Sequence, residues 1–398
     1  MLKRYFKNIP WFLVTFVVLL YRVYNYVPLE AYTQLMTLSS LYIYIYMIYK
    51  TGNSFCSSDF KIERMIIVSL LATLIISVFY WNLNLINVLA RYFPAVSILI
   101  VFYLKSQRIE CSKIEKAIVI LTWLYLFCWL IQVFMLPQII FGGRDETDNL
   151  SRGFIRFYIP TKENLAFLLF YYLSLYVNYK KKIYLCLSLL VYIVIVLHVS
   201  RQMIVWSGLF GILFLTKQYL YNIKSLITVT LVLFMFGFYF INTSNVATSL
   251  IEMTEESQGG INSLGTDNIR IEAMQYFIKN YSDNIFTIIF GNGYSSSFDA
   301  LARHEQVFKN LGYYRADVGF VGMYCDTGVI SVILYITLFI KVLLFTKVEK
   351  KYKYLKYYIL YIIFSYLGSH SLTSNLVFVI MSIYILKCSN YRVLKKKL

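Results

Sequence analysis

Proline and charged residues are scarce in this sequence. It contains 5 Pro in 398 residues, and Asp, Glu, Lys and Arg together make up only 15% of it, against 59% hydrophobic and 19% aromatic residues. A soluble domain cannot hide so large an apolar fraction in one core. The composition therefore argues against a soluble domain and predicts an all-α, polytopic integral membrane protein.

The sequence also lacks the signatures of several other classes. Its 6 Cys show no spacing typical of a disulfide framework or a zinc site. It has no Gly-Lys-Ser/Thr phosphate loop and no aspartate-rich signature for a metal diphosphate. Lysine blocks beside apolar segments are explained by membrane insertion and anionic headgroups rather than by nucleic acid. We therefore expect no metal, no cofactor and no nucleic-acid partner.

Apolar segments long enough to cross a bilayer, about 20 residues each, recur along the whole chain. They predict about 12 transmembrane helices (10–12) in a single membrane domain, 1–398. The predicted spans are 10–29, 31–49, 64–83, 85–104, 117–137, 163–179, 183–200, 202–216, 224–242, 318–346, 355–370 and 371–387.

Lysine and arginine indicate the topology, because short cytoplasmic loops retain positive charge. With both termini cytoplasmic, the inner side has 26 basic minus 5 acidic residues, or +21, and the outer side has 12 minus 15, or −3, which sum to the net +18. The outer basic residues are nine Arg and three Lys. A planar guanidinium group recognises phosphate and carboxylate in a way that lysine does not, which directs attention to the outer side.

Two long outer loops, 141–162 and 242–317, stand apart from the short connections and are the predicted places for chemistry. In the second loop, apolar residues recur at helical spacing after Asp267, which predicts an amphipathic helix on the membrane surface or on the helix bundle. The segment Phe-Gly-Asn-Gly-Tyr is interpreted as a tight turn, and a second helix is predicted over about 298–311.

Three arginines of the first loop are candidates for binding anionic groups. Arg152 and Arg156 are four residues apart, so that a helical turn would place both guanidinium groups on one face. Arg144 lies upstream in the same loop. The alternative is a solvated loop in which these arginines pair with neighbouring acidic residues.

Two further arginines lie at the predicted outer boundary. Arg201 stands between two apolar segments, where a cation is costly unless it is paired or faces a polar cavity; snorkelling to the headgroups is the alternative. Arg270 lies on the polar part of the predicted outer helix, where a solvated arginine is the default interpretation. His198, three residues before Arg201, is interpreted as a hydrogen-bonded structural group.

Candidates for a proton acceptor are few. His304 is the only histidine of the large loop and titrates near neutral pH. Asp317 lies where the chain returns to the membrane and is a candidate general base or orienting carboxylate. Asp326 lies deeper in the same span, where a carboxylate is costly unless it has a partner.

The order of these segments resembles the O-antigen polymerase and O-antigen ligase superfamily of bacterial envelope polysaccharide assembly, over about residues 140–335. The matching segments are SRGFIRFYIPTKENLAFLL, HVSRQMIVWSGLFG, NIRIEAMQYFIKNYSDNIFTIIFGNGYSS and ADVGFVGMYCDTGVIS. The first segment is similar to the family's Arg-Gly followed by Asn-Leu-Ala at the start of a span, and the second to its Ser-Arg at the start of a helix. The third is similar to its stretch of Arg, an aromatic residue and Phe-Gly-x-Gly, and the fourth to the segment in which its large loop returns to the membrane. The ligase branch has a His-Asn pair at this exit, where this chain has Ala316-Asp317, which favours a polymerase.

The resemblance implies a metal-independent glycosyltransferase that moves a growing glycan from polyprenyl diphosphate to a lipid-linked repeat unit. Arg201 and Arg270 would bind the diphosphate of the undecaprenyl-linked oligosaccharide, with Arg152 a weaker match. Asp317, ahead of His304, would accept the hydroxyl proton. The other residues expected to bind substrate are Arg144, Arg156 and Asn164.

The resemblance also implies a location and partners. The enzyme would lie in a bacterial cytoplasmic (inner) membrane, contact membrane lipid and a chain-length regulator protein, and make an O antigen for lipopolysaccharide or a capsule. An O-antigen ligase-type transferase and a flippase for lipid-linked oligosaccharides are the alternatives. A flippase needs internal duplication and charges along a central path, whereas this chain concentrates its polar residues in one outer loop.

Overall fold

The computed structural model describes most of the chain. The described residues are 10–21, 24, 26, 33–56, 58–85, 88, 97–136, 138–144, 157–198, 200–219, 269–294, 299–367, 372 and 375–395. They are helical almost throughout, which confirms the all-α prediction, apart from one antiparallel ladder between β1 (Gly143–Arg144) and β2 (Phe157–Tyr158) at the ends of the first loop.

The α-helices are numbered in chain order. The first half of the chain forms α1 (Trp11–Leu20), α2 (Thr33–Thr51), α3 (Lys61–Phe79), α4 (Ile100–Ser106), α5 (Cys111–Phe134), α6 (Asn164–Tyr179), α7 (Lys182–Leu197) and α8 (Arg201–Tyr219). The second half forms α9 (Ile269–Asn280), α10 (Ile285–Phe290), α11 (Ala300–Asn310), α12 (Phe320–Ile340), α13 (Tyr354–Tyr366) and α14 (Leu376–Lys395).

Among the described residues, three helical stretches are long and apolar enough to cross a membrane. They are Ser58–Phe79, Cys111–Phe134 and Phe320–Phe345, which contain α3, α5 and α12. Each exceeds the length of about 20 residues that a bilayer requires. The predicted membrane character of the chain is thereby supported, whereas the predicted ninth span, 224–242, lies outside the described residues.

Several predicted segments correspond to helices with shifted ends. The predicted fourth span, 85–104, contains the short 3₁₀ turn Ser97–Leu99 and most of α4 in its described part. The last two predicted spans, which the sequence barely separates, are distinct helices, since α13 ends at Tyr366 and α14 begins at Leu376. Both helices predicted in the large loop are present, as α9 and α11.

Tyrosines form much of the core, because their rings fill volume while their hydroxyl groups reach partners on other helices. The hydroxyl of Tyr358 in α13 donates to the side-chain oxygen of Asn164 at 2.8 Å. Other buried tyrosine hydroxyls donate to a backbone carbonyl, as Tyr24 does to Leu121 at 3.0 Å. These tyrosines therefore contribute both ring volume and hydrogen bonds to the packing of the helices.

An ion pair is buried where α3 and α14 meet. The ammonium of Lys387 donates to the carboxylate of Glu63 and to the backbone oxygen of Asp59, the latter at 3.2 Å. Its Nζ lies 4.8 Å from the ring centre of Phe60, and Glu63 is completely buried. Both charged groups are thus removed from water, and each is stabilised by the other.

Candidate functional site

The glycine-rich turn after α10 is buried rather than exposed. It inserts between α3 and α12, where Asn292 forms hydrogen bonds through its side chain and its backbone oxygen. The indole of Trp81 donates to Asn292 Oδ1 at 3.1 Å, and Asn292 Nδ2 donates to the hydroxyl of Ser282 at 3.0 Å. The hydroxyl of Ser77 in α3 donates to the backbone oxygen of Asn292 at 3.2 Å. The turn is therefore a fixed part of the helix packing.

The turn meets α12 where that helix is broken. Gly328 has φ +76°, which interrupts the helix and leaves the preceding carbonyl groups without their usual partners. The backbone N–H groups of Asn292 and Gly293 donate to the carbonyls of Cys325 and Asp326 at 3.0 and 2.8 Å. A Cβ at Gly291 would lie 2.5 Å from the backbone oxygen of Asp326, so only glycine permits this approach.

A three-residue charge cluster lies beside this break. The guanidinium of Arg315, in the 3₁₀ turn Arg315–Asp317 before α12, forms ion pairs with Asp326 of α12 and Glu305 of α11. Both carboxylates are buried, and the ammonium of Lys309 lies 3.8 Å from Glu305. Arg315 is thus the partner that a carboxylate at the depth of Asp326 requires.

Electrostatics keep Arg315 charged. Burial alone would lower the pKa of Arg315, but the carboxylates of Asp326 and Glu305 outweigh it and raise that pKa well above its ordinary value. The neighbouring Tyr281 also keeps its proton, because burial raises the pKa of its hydroxyl well above the ordinary value. The Tyr281 hydroxyl therefore stays neutral and retains its proton for donation.

Aromatic rings surround the cluster. The guanidinium of Arg315 lies 5.5 Å from the centre of the Tyr281 ring, a cation–π contact. The Tyr281 ring in turn packs against Phe277, Phe308 and His304, with centroid distances of 5.7, 5.1 and 5.3 Å. Because α9 and α11 each contribute to this layer, their amphipathic faces fix the walls of the site.

A cavity of about 200 Å³ opens at this point between α9, α11 and the chain that leads into α12. It combines aromatic walls with two cations and one carboxylate, the mixture of apolar surface and a few fixed polar groups that small-molecule sites show. Its lining residues are Phe277, Tyr281, Glu305, Phe308, Lys309, Tyr313, Tyr314, Arg315 and Ala316.

Two of the predicted site residues, His304 and Asp317, adjoin residues that line the cavity, and a third, Arg270, lies at the opposite end of α9 from the cavity. His304 precedes Glu305 in α11, and its Nε2 lies 3.1 Å from the backbone oxygen of Tyr281, to which it donates. Asp317 is exposed at the end of the Arg315 turn, and Arg270 is exposed in the first turn of α9. In this arrangement His304 uses Nε2 as a donor, whereas Asp317 remains accessible to solvent.

The other predicted arginines fall partly or wholly outside the described residues. Arg201 is the first residue of α8 and Arg144 belongs to β1, but only their backbone is described. Arg152 and Arg156 lie outside the described residues altogether. Their predicted roles in binding substrate stay predictions.

Asn164 is buried at the start of α6 in a separate polar group. Its side-chain oxygen accepts the hydroxyl of Tyr358, and the adjacent Glu163 accepts a hydrogen bond from Asn375 Nδ2 at 2.6 Å. Asn164 is 1% exposed. Its contacts join α6 to α13 and α14, and it is enclosed by protein in this structure.

His198 forms hydrogen bonds with both ring nitrogens, in keeping with its interpretation as a hydrogen-bonded structural group. Its Nε2 lies 2.7 Å from the hydroxyl of Tyr125, and its Nδ1 lies 2.7 Å from the backbone oxygen of Val194. The imidazole also stacks on Trp129, with a centroid distance of 5.0 Å. These contacts hold the end of α7 against α5, next to the start of α8.

Sequence reasoning missed three residues that line the cavity. Arg315 was counted among the nine outer arginines but not singled out, and Glu305 and Tyr281 were not considered. One signal pointed to Arg315, because Asp326 needed a cation and Arg315 is the basic residue just before the same span. Nothing in the spacing indicated Glu305 or Tyr281.

No family model, curated protein or solved structure matches this chain. The resemblance to the O-antigen polymerase and ligase superfamily therefore rests on the short motifs quoted above and on their order.

Proposed function

We propose that this chain is a metal-independent glycan polymerase that works at the outer face of a bacterial cytoplasmic membrane. The observation that carries the proposal is the position of the cavity, which lies between the two large-loop helices and the start of the membrane-length stretch Phe320–Phe345. A site so placed can receive a substrate that is anchored in lipid while its sugars stand in water.

The proposed reaction transfers a growing glycan from polyprenyl diphosphate to a hydroxyl group of a lipid-linked repeat unit. The chemical problem is the charge that develops on the departing diphosphate, which fixed guanidinium groups stabilise. In this proposal Arg201 and Arg270 bind the diphosphate, with Arg152 in the same role. The exposure of Arg270 in the first turn of α9 is compatible with contact to a large anionic headgroup.

The lining of the cavity supports a sugar as its ligand. Flat faces are available from Tyr281 and Phe308, and fixed polar groups from Glu305 and Arg315. Such a pocket buries an apolar sugar face and still orients hydroxyl groups. A simple anion site would not need the aromatic walls.

The predicted membrane topology is part of the same proposal. Twelve membrane helices with both termini in the cytoplasm would place α9, α10 and α11, and the entry to α12, on the outer side, where lipid-linked repeat units are polymerised. The buried pair of Lys387 and Glu63 would then lie at the cytoplasmic end, in keeping with the retention of lysine on that side.

An elongation assay tests the proposed function. The purified protein in lipid nanodiscs would receive polyprenyl-diphosphate-linked repeat units from its own host, and product length would be followed by gel electrophoresis. We expect a ladder of lengthened glycans, and a rate at least about 100-fold lower for Arg201→Ala and Arg270→Ala, as for other losses of a group that stabilises developing negative charge.

A matched control is available in α11, where Arg303 is also exposed but lines no part of the cavity. Arg303→Ala should elongate at the wild-type rate. The proposal fails if the wild-type protein makes no ladder, if it only transfers single units to a lipid acceptor, or if Arg201→Ala and Arg270→Ala elongate as well as Arg303→Ala.

A further inference from the structure

The charges around the cavity cancel. Arg315 and Lys309 line it as cations, Glu305 lines it as a carboxylate, and the carboxylate of Asp326 forms an ion pair with Arg315. The guanidinium is already engaged by two carboxylates, so little of its charge remains for an additional anion. The cavity is therefore poorly suited to a diphosphate and better suited to a neutral polar group.

One polar atom of a residue that lines the cavity lacks a partner among the described residues. The hydroxyl of Tyr281 is buried, with the residue only 1% exposed, and it forms no hydrogen bond with any described part of the chain. Buried polar atoms in native proteins almost always have a partner, so an unmatched one needs an explanation. A ligand hydroxyl that reaches this oxygen from the cavity would supply a partner, because the neutral phenol can both donate and accept.

The carboxylate of Glu305 has one oxygen that is open to a ligand. Its Oε1 is engaged by Arg315, whereas its Oε2 lies 3.8 Å from Lys309 Nζ, beyond hydrogen-bond distance. The ion pair with Arg315 holds the carboxylate in one position at the cavity wall. A hydroxyl bound in the cavity would thus have a fixed proton acceptor in the cavity wall.

We propose that this cavity is the subsite for the acceptor sugar, separate from the arginines that bind the donor diphosphate, and that Glu305 is its general base. This inference rests on the proposed function. The acceptor oxygen forms a bond to the anomeric carbon of the donor while the bond from that carbon to the diphosphate oxygen breaks. Polyprenyl diphosphate leaves with the electron pair, and the proton of the acceptor hydroxyl passes to Glu305.

The assignment gives the three charged residues different roles. Glu305 touches the substrate, whereas Arg315 and Asp326 are positioning residues that fix the Glu305 carboxylate. It also differs from the sequence expectation, which ranked Asp317 and then His304 as proton acceptors. Asp317 is exposed at the end of the turn, and His304 already donates through Nε2 to Tyr281.

Binding of a lipid-free probe tests the subsite without requiring any catalysis. The probe is the repeat-unit oligosaccharide released by mild acid from the host's own glycan, and inorganic pyrophosphate serves as the anionic comparison. We expect Tyr281→Phe to weaken oligosaccharide binding about tenfold, as the loss of one hydrogen bond does, and to leave pyrophosphate binding unchanged. Tyr276→Phe is the control, because this half-buried tyrosine of α9 does not line the cavity.

Protein stability separates a ligand-binding role from a structural one. The Tyr281 hydroxyl has no partner among the described residues, so removing it should not lower the melting temperature of the ligand-free protein. The inference is overturned if Tyr281→Phe binds the oligosaccharide like the wild type, or if Tyr281→Phe weakens pyrophosphate binding instead.

The kinetic test uses Glu305→Gln in the elongation assay. The kcat should fall about 100-fold or more while oligosaccharide binding persists, because a general base contributes at least about that factor. Asp283→Asn, an exposed carboxylate between α9 and α10, should elongate normally. Elongation by Glu305→Gln within threefold of the wild type would refute the role of Glu305. Absence of elongation by the wild-type protein would instead refute the proposed function, and the binding result would still report on the subsite.

Discussion

Two buried ion clusters at different places in this protein have similar chemistry and different surroundings. Lys387 and Glu63 form a closed pair between α14 and α3, packed under Phe60, and one carboxylate oxygen of Glu63 has no hydrogen-bond partner among the described residues. Arg315 also pairs with buried carboxylates, but beside a cavity, which the neighbouring Tyr281 also lines. The first arrangement serves packing, whereas in the second Arg315 and Glu305 line the cavity. Burial of a charge by itself therefore does not identify a site.

Removal of the cation from the closed pair should have the largest effect. Lys387→Met leaves Glu63 buried and unpaired, so we expect stability to fall by about 3–5 kcal/mol, measured by equilibrium unfolding in detergent. Lys387→Met combined with Glu63→Gln should recover most of this loss, because no unpaired charge remains. A double variant as unstable as the single variant would show that the pair does not control stability at this end.

The glycine turn is expected to be the next most sensitive point. Gly291→Ala would place a Cβ 2.5 Å from backbone atoms of α12 at φ +85°, so strain and overpacking should cost about 2–5 kcal/mol. Gly211→Ala in α8 is the control, since its Cβ would meet only a leucine side chain at 3.6 Å. Equal melting temperatures for the two variants would contradict the close packing of the turn against the broken helix.

The cluster at the cavity should tolerate a lost carboxylate better than the closed pair tolerates a lost cation. In Asp326→Asn, Arg315 keeps Glu305 as an ionic partner and the amide oxygen still accepts a hydrogen bond, so we expect a loss of about 1–3 kcal/mol. The measurement is again equilibrium unfolding in detergent, and the loss of stability is compared with that of Lys387→Met. A larger loss of stability for Asp326→Asn than for Lys387→Met would contradict the expected order of the two clusters.

The smallest effect is expected at the rim of the cavity. The side chain of Lys309 is 45% exposed and its Nζ lies 3.8 Å from Glu305, so Lys309→Gln should change stability by less than about 1 kcal/mol. Any change should shrink further at high salt, which screens exposed charges. A salt-independent loss of several kcal/mol would mean that Lys309 belongs to the buried cluster.

The local structure of the large loop could be predicted from sequence to a useful extent. Apolar spacing predicted α9, and the segment predicted over about 298–311 forms α11 from Ala300 to Asn310, with the Asp299 side chain accepting from the backbone N–H of Ala302 as its N-cap. The glycine-rich segment was correctly interpreted as a turn. Its burial was not predictable, because Ser77 and Trp81, which hold it, lie more than 200 residues earlier in the chain.

The charge cluster shows where sequence reasoning stopped. The need of Asp326 for a partner followed from its depth in an apolar segment. Arg315 lies 11 residues away, a separation that a continuous helix would stretch to about 16 Å. Only the 3₁₀ turn before α12, which folds back over the first turns of that helix, brings the two side chains together.

The sequence by itself determined that this protein is helical and rich in membrane-length apolar segments, that two helices follow one another in the large loop, and that a glycine turn lies between them. These properties depend on periodicity and on local backbone preferences. The tertiary structure decided which charges meet, which buried hydroxyl groups of the described residues find hydrogen-bond partners, and where a cavity opens. Those features depend on contacts between residues that are distant in the chain, and local preference contains no information about such contacts.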